Sequence, residues 1–597
     1  MREVRRECPR GVSEKIEVAK GQRWERPEGA MVFYDVECEQ KHDGAMTLWT
    51  AIVFLYATMS FLVEGATFFD SGYSLFVGKT KEEFWAFLNG LGVGNVYCFA
   101  FNGNKFDHLY MFDGARSGND LIVGPGSFVG GNVIVGNVNC VLKDLCNYIS
   151  YTTIEKLGEQ LNCPKLVGAS AKATNILYCA RDSVILCKSW FEIVLKMFEP
   201  VVGVLCEDVH SLVLFTSQAQ IAYYFMIDNV DNLYGMDLSF FDYCVSAYFG
   251  ARIDSMMFGQ YLERDVALWD ITSMYPAGMN NKLPVGVPWF EKRFEFGDLL
   301  DAPFICRARL VKRSNLSLDA CFGILPVHYP SGIVYTSYGD VTGVYTCVDL
   351  FNAIEDGWDI KWTRDFVRWP MWTDQISEKY RKWFAIKCSH PKDSVLYWFA
   401  KQVLNASIGV FAIRPRDVCR KPVQVNWFAM GWARRQLVLM KKVMWRAKVE
   451  WPLYGDTDSV VLLDSDMRRF LKCLPEVSKG VLGNCYQLSG DVETKSNFIC
   501  VLAKKLFIMK GKISAKGHAK SYLDKEFFRD CCLRPGFTVK DRPTRVVRVR
   551  DGFVKSSVSL FVPCERVCRV VVPEYKLKIG NCFVNKFIVV PYMRVNL

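Results

Sequence analysis

From Met31 onward, apolar residues arrive in short runs rather than at helical spacing. MVFYDVE, TLWTAIVFLYA, FLVEGATFF and YSLFV are rich in β-branched and aromatic residues, as strands are. Lys81 to Leu91 then reads as a helix, VYCFAF as a strand, and Thr153 to Leu161 and Lys172 to Phe198 as helices. This alternation predicts an α/β domain ending near Pro200. Helical and mixed segments continue to Tyr248, and YFGARI leads into a second α/β region. There Val395 to Gly409 and Trp427 to Ala447 predict long helices flanking a short Pro-containing link. Residues 1–30 are mixed in charge and weakly periodic, which predicts a loose N-terminal extension; its acidic residues argue against a transit peptide.

Leu48 to Val63 carries no charge. It falls short of the ~20 residues that cross a bilayer, and its Thr, Val, Tyr and Phe content suits two strands with a turn near Thr58 to Ser60. A chain of 597 residues exceeds one hydrophobic core, so several domains are expected. The 23 cysteines include no CxxC pair, which speaks for buried thiols in a reducing compartment and against a structural zinc or iron–sulfur site. The net charge of +11 is uneven. From Val501 to the end there are 21 Lys/Arg against 7 Asp/Glu, so the remainder is slightly acidic. A basic excess confined to one end suits a polyanion-binding element, with a solvated basic surface as the plain alternative.

Short stretches carry candidate chemistry in the first domain. FYDVECEQ puts Asp35 and Glu37 on one face of a strand, able to share a hard cation or to form an ordinary polar face. FNGNKFDHL supplies Asn102, Phe106 and Asp107. YCARDSVIL supplies Tyr178 and Asp182, four apart on a helix. In this order D-x-E, N-x-x-x-F-D and Y-x-x-x-D resemble the three exonuclease motifs of the DnaQ-like (RNase H-like) fold in family B DNA polymerases. The resemblance implies that Asp35, Glu37, Asp107 and Asp182 hold two metals and that Tyr178 orients the attacking water. It also implies that Asn102 and Phe106 touch a nucleic-acid strand and that Lys165 assists.

In the second region, WDITSMYPAGM places Asp270 before Ser273, Met274, Tyr275 and Pro276, where it could merely cap a helix; YGDTDS, with Asp456 and Asp458, could be a plain hairpin turn. Together they resemble the D-x-x-S-L-Y-P and Y-x-D-T-D-S motifs of family B polymerases. The resemblance makes Asp270 and Asp458 the metal ligands. Asp456 is expected on the opposite face of the hairpin, in support. Tyr275 would exclude a 2′-hydroxyl, and backbone N–H groups of Thr272, Ser273, Met274 and Tyr275 would hold triphosphate oxygens. AKQVLNASIG resembles K-x-x-x-N-S-x-Y-G, giving Lys401 and Asn405 to the nucleotide; Ala406 and Ile408 depart from the pattern. Tyr248, Gly250 and Arg252 resemble the Y-x-G-G/A element that contacts template. Lys505 and Phe507 resemble the K-x-Y primer element, and Lys516 opens the basic segment.

The resemblance implies an α/β and α+β multidomain enzyme, a DnaQ-like exonuclease domain followed by a right-hand palm, fingers and thumb. The expected layout is 1–30 extension, 31–200 exonuclease, 201–250 template-contact linker and 251–375 palm with an insertion at about 291–362. Fingers then occupy 376–420, palm 421–525 and basic thumb 526–597. A chain this compact looks like the protein-primed branch of phages, adenoviruses and linear plasmids, which start on a terminal protein. The expected cofactor is Mg²⁺, with Mn²⁺ as substitute, two ions per site. The expected partners are template/primer DNA, dNTPs, a terminal protein and a single-stranded-DNA-binding protein, around an intracellular monomer that touches no membrane. The interval from Gly409 to Tyr454 leaves little room for the second insertion of that branch. The rivals are the same enzyme primed by DNA or RNA ends, and a non-catalytic nucleic-acid-binding relic.

Overall fold

The computed structural model describes most residues from 8 to 529. Its longer breaks are 19–26, 39–45, 56–74, 167–175, 201–208, 314–321, 413–419, 479–487 and 516–524; beyond 529 it describes only 538–540, 567–570, 575–579, 582–586 and 593–594. The strand and turn expected beyond Leu55, Lys516 and most of the expected thumb lie outside the described residues.

The first domain is built on one mixed sheet. In spatial order its strands are Leu75–Gly78, Met46–Leu55, Ala30–Cys38, Asn95–Ala100, Val138–Asp144, Ser127–Val135 and Arg116–Ser117. The strands at Ala30, Asn95 and Val138 run parallel and their neighbours antiparallel. The uncharged run at Leu48 is thus a sheet strand over its described part, and no described helix is long and apolar enough to cross a membrane. Helix Ile176–Lys188 packs over the strands at Ala30 and Met46.

The second region centres on an antiparallel sheet ordered Gly490–Ser496, Val266–Ile271, Ser459–Leu463, Tyr454–Asp456 and Ile253–Ser255. Alternation along Val266–Ile271 sends Ala267, Trp269 and Ile271 toward helix Gln424–Arg446, with Leu437, Val443 and Met444. Val266 and Leu268 face the sheet carrying Ile499, Val501 and Phe507. Asp270 shares parity with that second set. A further sheet, ordered Trp289–Glu291, Asp359–Arg368, Phe304–Lys312 and Gly339–Thr346, is inserted between these elements; its last strand runs through Trp362, the expected limit, to Arg368. A buried fork fastens it: Arg434 donates to both oxygens of Asp349 at 2.8 and 3.0 Å, and both side chains are 2% exposed. Helices Gln375–Ser389 and Val395–Val410 form an antiparallel pair, against which helix Gln218–Ile227 packs.

The expectation of a loose N-terminal extension fails for residues 8–18. Phe290 donates its N–H to the Gly11 carbonyl (2.8 Å), Ser13 to Pro288 (2.9 Å) and Gly235 to Ile16 (2.9 Å). Val18 ends in the core. An extended strap that serves sheet-edge groups through its backbone needs no apolar period, which is why the pattern hid it.

Candidate active sites

Strand Ala30–Cys38 turns Asp35 and Glu37 to one face, and helix Ile176–Lys188 lays Asp182 beside them. Asp107 opens the short helix Asp107–Met111, just past the end of the neighbouring strand. Removal from water raises the Asp35 pKa well above the aspartate range, and the charges of Asp107, Asp182 and Glu37 raise it further. Burial lifts Glu37 and Asp182 as well, and pushes Asp107 up to about 7. Four carboxylates therefore crowd one place, which is costly unless a cation joins them.

Lys165 answers part of that charge. Its Nζ donates to Asp182 Oδ2 at 2.5 Å and lies 4.8 Å from the centre of the Tyr178 ring. Burial alone would lower the Lys165 pKa, but the hydrogen bond and charge of Asp182 outweigh it and leave it above the lysine range. Asp182 Oδ1 is buried without a partner, an oxygen that the protein itself leaves open. Such an oxygen-rich set fits a hard divalent cation. The Cys179 sulfur lies within 4.8 Å of the Asp35 and Glu37 carboxylates. It donates to the Asp35 carbonyl and accepts from Thr50, and burial raises its pKa, so it packs as a neutral thiol. Asp144, which no motif marks, accepts N–H bonds from Asn102 (2.9 Å), Asn104 (3.1 Å) and Cys146 (2.9 Å), and so shapes the loop that leads to Asp107. Asn102 stands exposed on that loop with φ 59°. Phe106 lies outside the described residues.

The second carboxylate set forms where two strand ends meet. Asp270 pairs in register with Ser459, and the Ile271 N–H donates to the Asp458 carbonyl at 2.8 Å. The Asp270 and Asp458 carboxyls lie close enough for each to shift the other's pKa. Burial, then the charge of Asp458, then that of Glu493 push Asp270 up to about 8. Burial also raises Asp458. Glu493 is a residue that sequence motifs missed: a bulge opposite Leu268 and Trp269 skips it, and it bonds Lys512 at 2.6 Å.

Asp456 does stand apart from this pair, though not for the expected reason. Two residues along a strand would share a face; here Thr457, at φ 66°, and Asp458 form the turn itself, so strand parity does not pass through them. The Asp456 carboxylate is held by Thr457 Oγ1 (2.9 Å), Lys505 Nζ (3.3 Å) and the Tyr454 hydroxyl (3.4 Å).

Residues 161–421 match the family model for DNA polymerase type B, organellar and viral. A probable DNA polymerase of Neurospora intermedia is 24% identical over 286 residues, 45% of this chain but only 28% of that protein. The phi29 DNA polymerase in complex with primer-template DNA and incoming nucleotide superposes with a TM-score of 0.64 at 16% identity, over 87% of this chain and 97% of its own. Its primer-template binary complex gives 0.63 at 15%, over 92% and 100%. The chain has the fold of a family B DNA polymerase.

The Asp270–Asp458 sheet falls in the expected palm and helices Gln375–Ser389 and Val395–Val410 in the expected fingers. Ser273 opens the helix Met274–Gly278 in a left-handed conformation, φ 52°, and its hydroxyl accepts from Lys387 Nζ at 2.5 Å. Lys387 carries no motif and was missed. Burial, then the charge of nearby Lys401, lowers its pKa. Lys401 Nζ sits 4.8 Å over the Trp398 ring, and Asn405 is exposed one turn further on. Met274 is buried and Tyr275 half-buried. Burial, then Tyr335 and Asp458, raises the Tyr275 pKa. The Thr272 N–H is taken by the Ser489 carbonyl (2.9 Å), which leaves it unable to hold triphosphate.

Ile408, one of the departures from the pattern, is buried in the core, and its carbonyl accepts from Asn426 Nδ2. Two further expectations change. Phe507 is buried against Tyr454, ring centres 4.8 Å apart, so it packs instead of touching primer. Arg252 is 3% exposed and cannot meet template. Tyr248 is half-buried, and the Gly250 carbonyl accepts from the Tyr335 hydroxyl at 2.5 Å.

Proposed function

We propose that the chain is a DNA-directed DNA polymerase with a 3′–5′ exonuclease. The observation that carries this reading is the meeting of Asp270 and Asp458 at the centre of the palm sheet, with a second carboxylate cluster in the DnaQ-like domain. In synthesis, the primer 3′-oxygen attacks the α-phosphorus of a dNTP, the new P–O bond forms and pyrophosphate leaves. Divalent cations held by Asp270 and Asp458 would supply charge neutralisation for attacking and leaving oxygens. Lys387 and Lys401 meet the triphosphate as point charges. The first-turn N–H groups from Ser273 to Tyr275 are those a helix leaves without internal partners, and they suit the same oxygens. Tyr275 closes the floor against a 2′-hydroxyl.

In the exonuclease, water attacks the terminal phosphodiester and dNMP leaves. Asp35, Glu37, Asp107 and Asp182 would hold the cations there, with Tyr178 and Lys165 placing the water. Protein priming is the reading that best suits an inserted sheet joined to the palm by a buried ion pair; a terminal-protein hydroxyl would then replace the primer hydroxyl at initiation. The setting would be an intracellular virus- or plasmid-encoded replicon, in a reducing compartment. The chain would work as a monomer away from membranes, with a single-stranded-DNA-binding protein as partner. Incubation with labelled dATP, Mg²⁺ and primed template tests synthesis. Label transferred to a candidate terminal protein encoded beside the gene tests priming. Failure of the first on a folded chain would leave the relic reading, and failure of the second alone would leave priming by nucleic-acid ends.

A further inference from the structure

Arg252 occupies a place that template contact does not explain. Its guanidinium carbon lies 3.7 Å from the centre of the Phe322 ring, and its Nε donates to the Gly323 carbonyl at 3.1 Å. Its own carbonyl accepts the Thr457 N–H at 2.6 Å. The strand that follows it pairs with Tyr454–Asp456, Ile253 opposite Asp456. At Gly455, a Cβ would sit 2.4 Å from Arg252 Nη1. The glycine is therefore the seat on which the guanidinium rests, so that one side chain spans from the strand carrying Asp456 to Phe322 and Gly323, while its main-chain carbonyl holds the turn.

Thr457 adds a second reason. A β-branched residue in the left-handed region persists only where its surroundings hold it, and the Arg252 carbonyl is the acceptor that holds its N–H. The two supports come from different parts of Arg252, the main-chain carbonyl on Thr457 and the guanidinium on Gly455.

Resting on the polymerase reading above, we propose that Arg252 is a positioning residue for nucleotidyl transfer. Wedged between the Phe322 ring and Gly455, it sets the height at which the turn presents Asp458 to Asp270, and it joins that turn to the segment ahead of the hairpin Leu325–Tyr329 and Gly332–Thr336.

The test is single-nucleotide incorporation by the full chain, titrated with Mg²⁺, for wild type, Arg252→Met, Gly455→Ala and the double variant, with thermal melts of each. Each single variant should raise the Mg²⁺ half-saturation for incorporation about tenfold, the scale on which groups supporting metal ligands act. The double variant should be no worse than Arg252→Met, because both changes remove one contact. Unchanged Mg²⁺ half-saturation in Arg252→Met, or single losses that multiply in the double, would overturn the proposal. If Arg252→Met does not fold, Gly455→Ala and Phe322→Leu disturb the same guanidinium without deleting it, and an unchanged half-saturation in both would overturn it equally. A folded wild type that incorporates nothing would instead sink the polymerase reading.

Discussion

The Ile271 N–H donates to the Asp458 carbonyl at 2.8 Å, and this bond holds Asp270, the residue before Ile271, against the turn of Thr457 and Asp458. Asp458→Ala should therefore abolish nucleotide incorporation, on the order of a thousandfold or more, since metal-borne charge stabilisation is worth several kcal/mol. Degradation of single-stranded DNA by the same variant should persist. Residual synthesis near the wild-type rate would move the site elsewhere.

The pH dependence follows from Asp270, whose pKa stands at about 8 in the metal-free fold against 3.8 for an unperturbed aspartate. Between those values the folded chain keeps a proton that the unfolded chain has lost, so this group's contribution to stability falls as pH rises through the window. A cation that displaces the proton should bind better as pH rises toward 8. Thermal melts with and without Mg²⁺ at pH 6 and pH 8 should show the larger upward shift at pH 8, and Asp270→Asn should flatten the difference.

Lys165 neutralises part of the carboxylate cluster of Asp35, Glu37, Asp107 and Asp182 through its 2.5 Å bond to Asp182. Lys165→Met should cut single-strand degradation by about 10- to 100-fold, as loss of a group orienting metal ligands does. Polymerisation measured on the same preparation should be unaffected. Equal losses in both activities would point to misfolding instead.

The Arg434–Asp349 fork is buried at both ends. Asp349→Ala leaves a guanidinium without its counter-charge and should destabilise the palm by about 3–5 kcal/mol, whereas Asp349→Leu with Arg434→Met should recover most of that loss. Thermal inactivation of incorporation reads the order of the three proteins.

The short interval between helix Val395–Val410 and helix Gln424–Arg446 leaves little room for a second insertion, which is expected to be reduced or missing. Synthesis should run freely across a gapped template and stall at a downstream duplex. Unaided displacement through a long duplex would contradict this.

The candidate carboxylate sites were legible in part because fixed local spacing puts side chains on one face: Asp35 and Glu37 two apart on a strand, Tyr178 and Asp182 four apart on a helix. The long helices were legible because burial on one face imposes a period. Lys387, Glu493 and Asp144 were not, since each acts on residues distant in the chain and has no local pattern to betray it. The strap at residues 8–18 was hidden because backbone pairing leaves side chains unconstrained.

What the sequence by itself determined was the set of chemical groups and the elements that carry them. Only the tertiary structure decided that Arg252 is buried against Gly455 and Thr457, that Phe507 and Ile408 face inward, and that Thr457 and Asp458 form the turn while Asp456 ends the strand. Burial and strand register are set by contacts across the fold, and no local spacing encodes them.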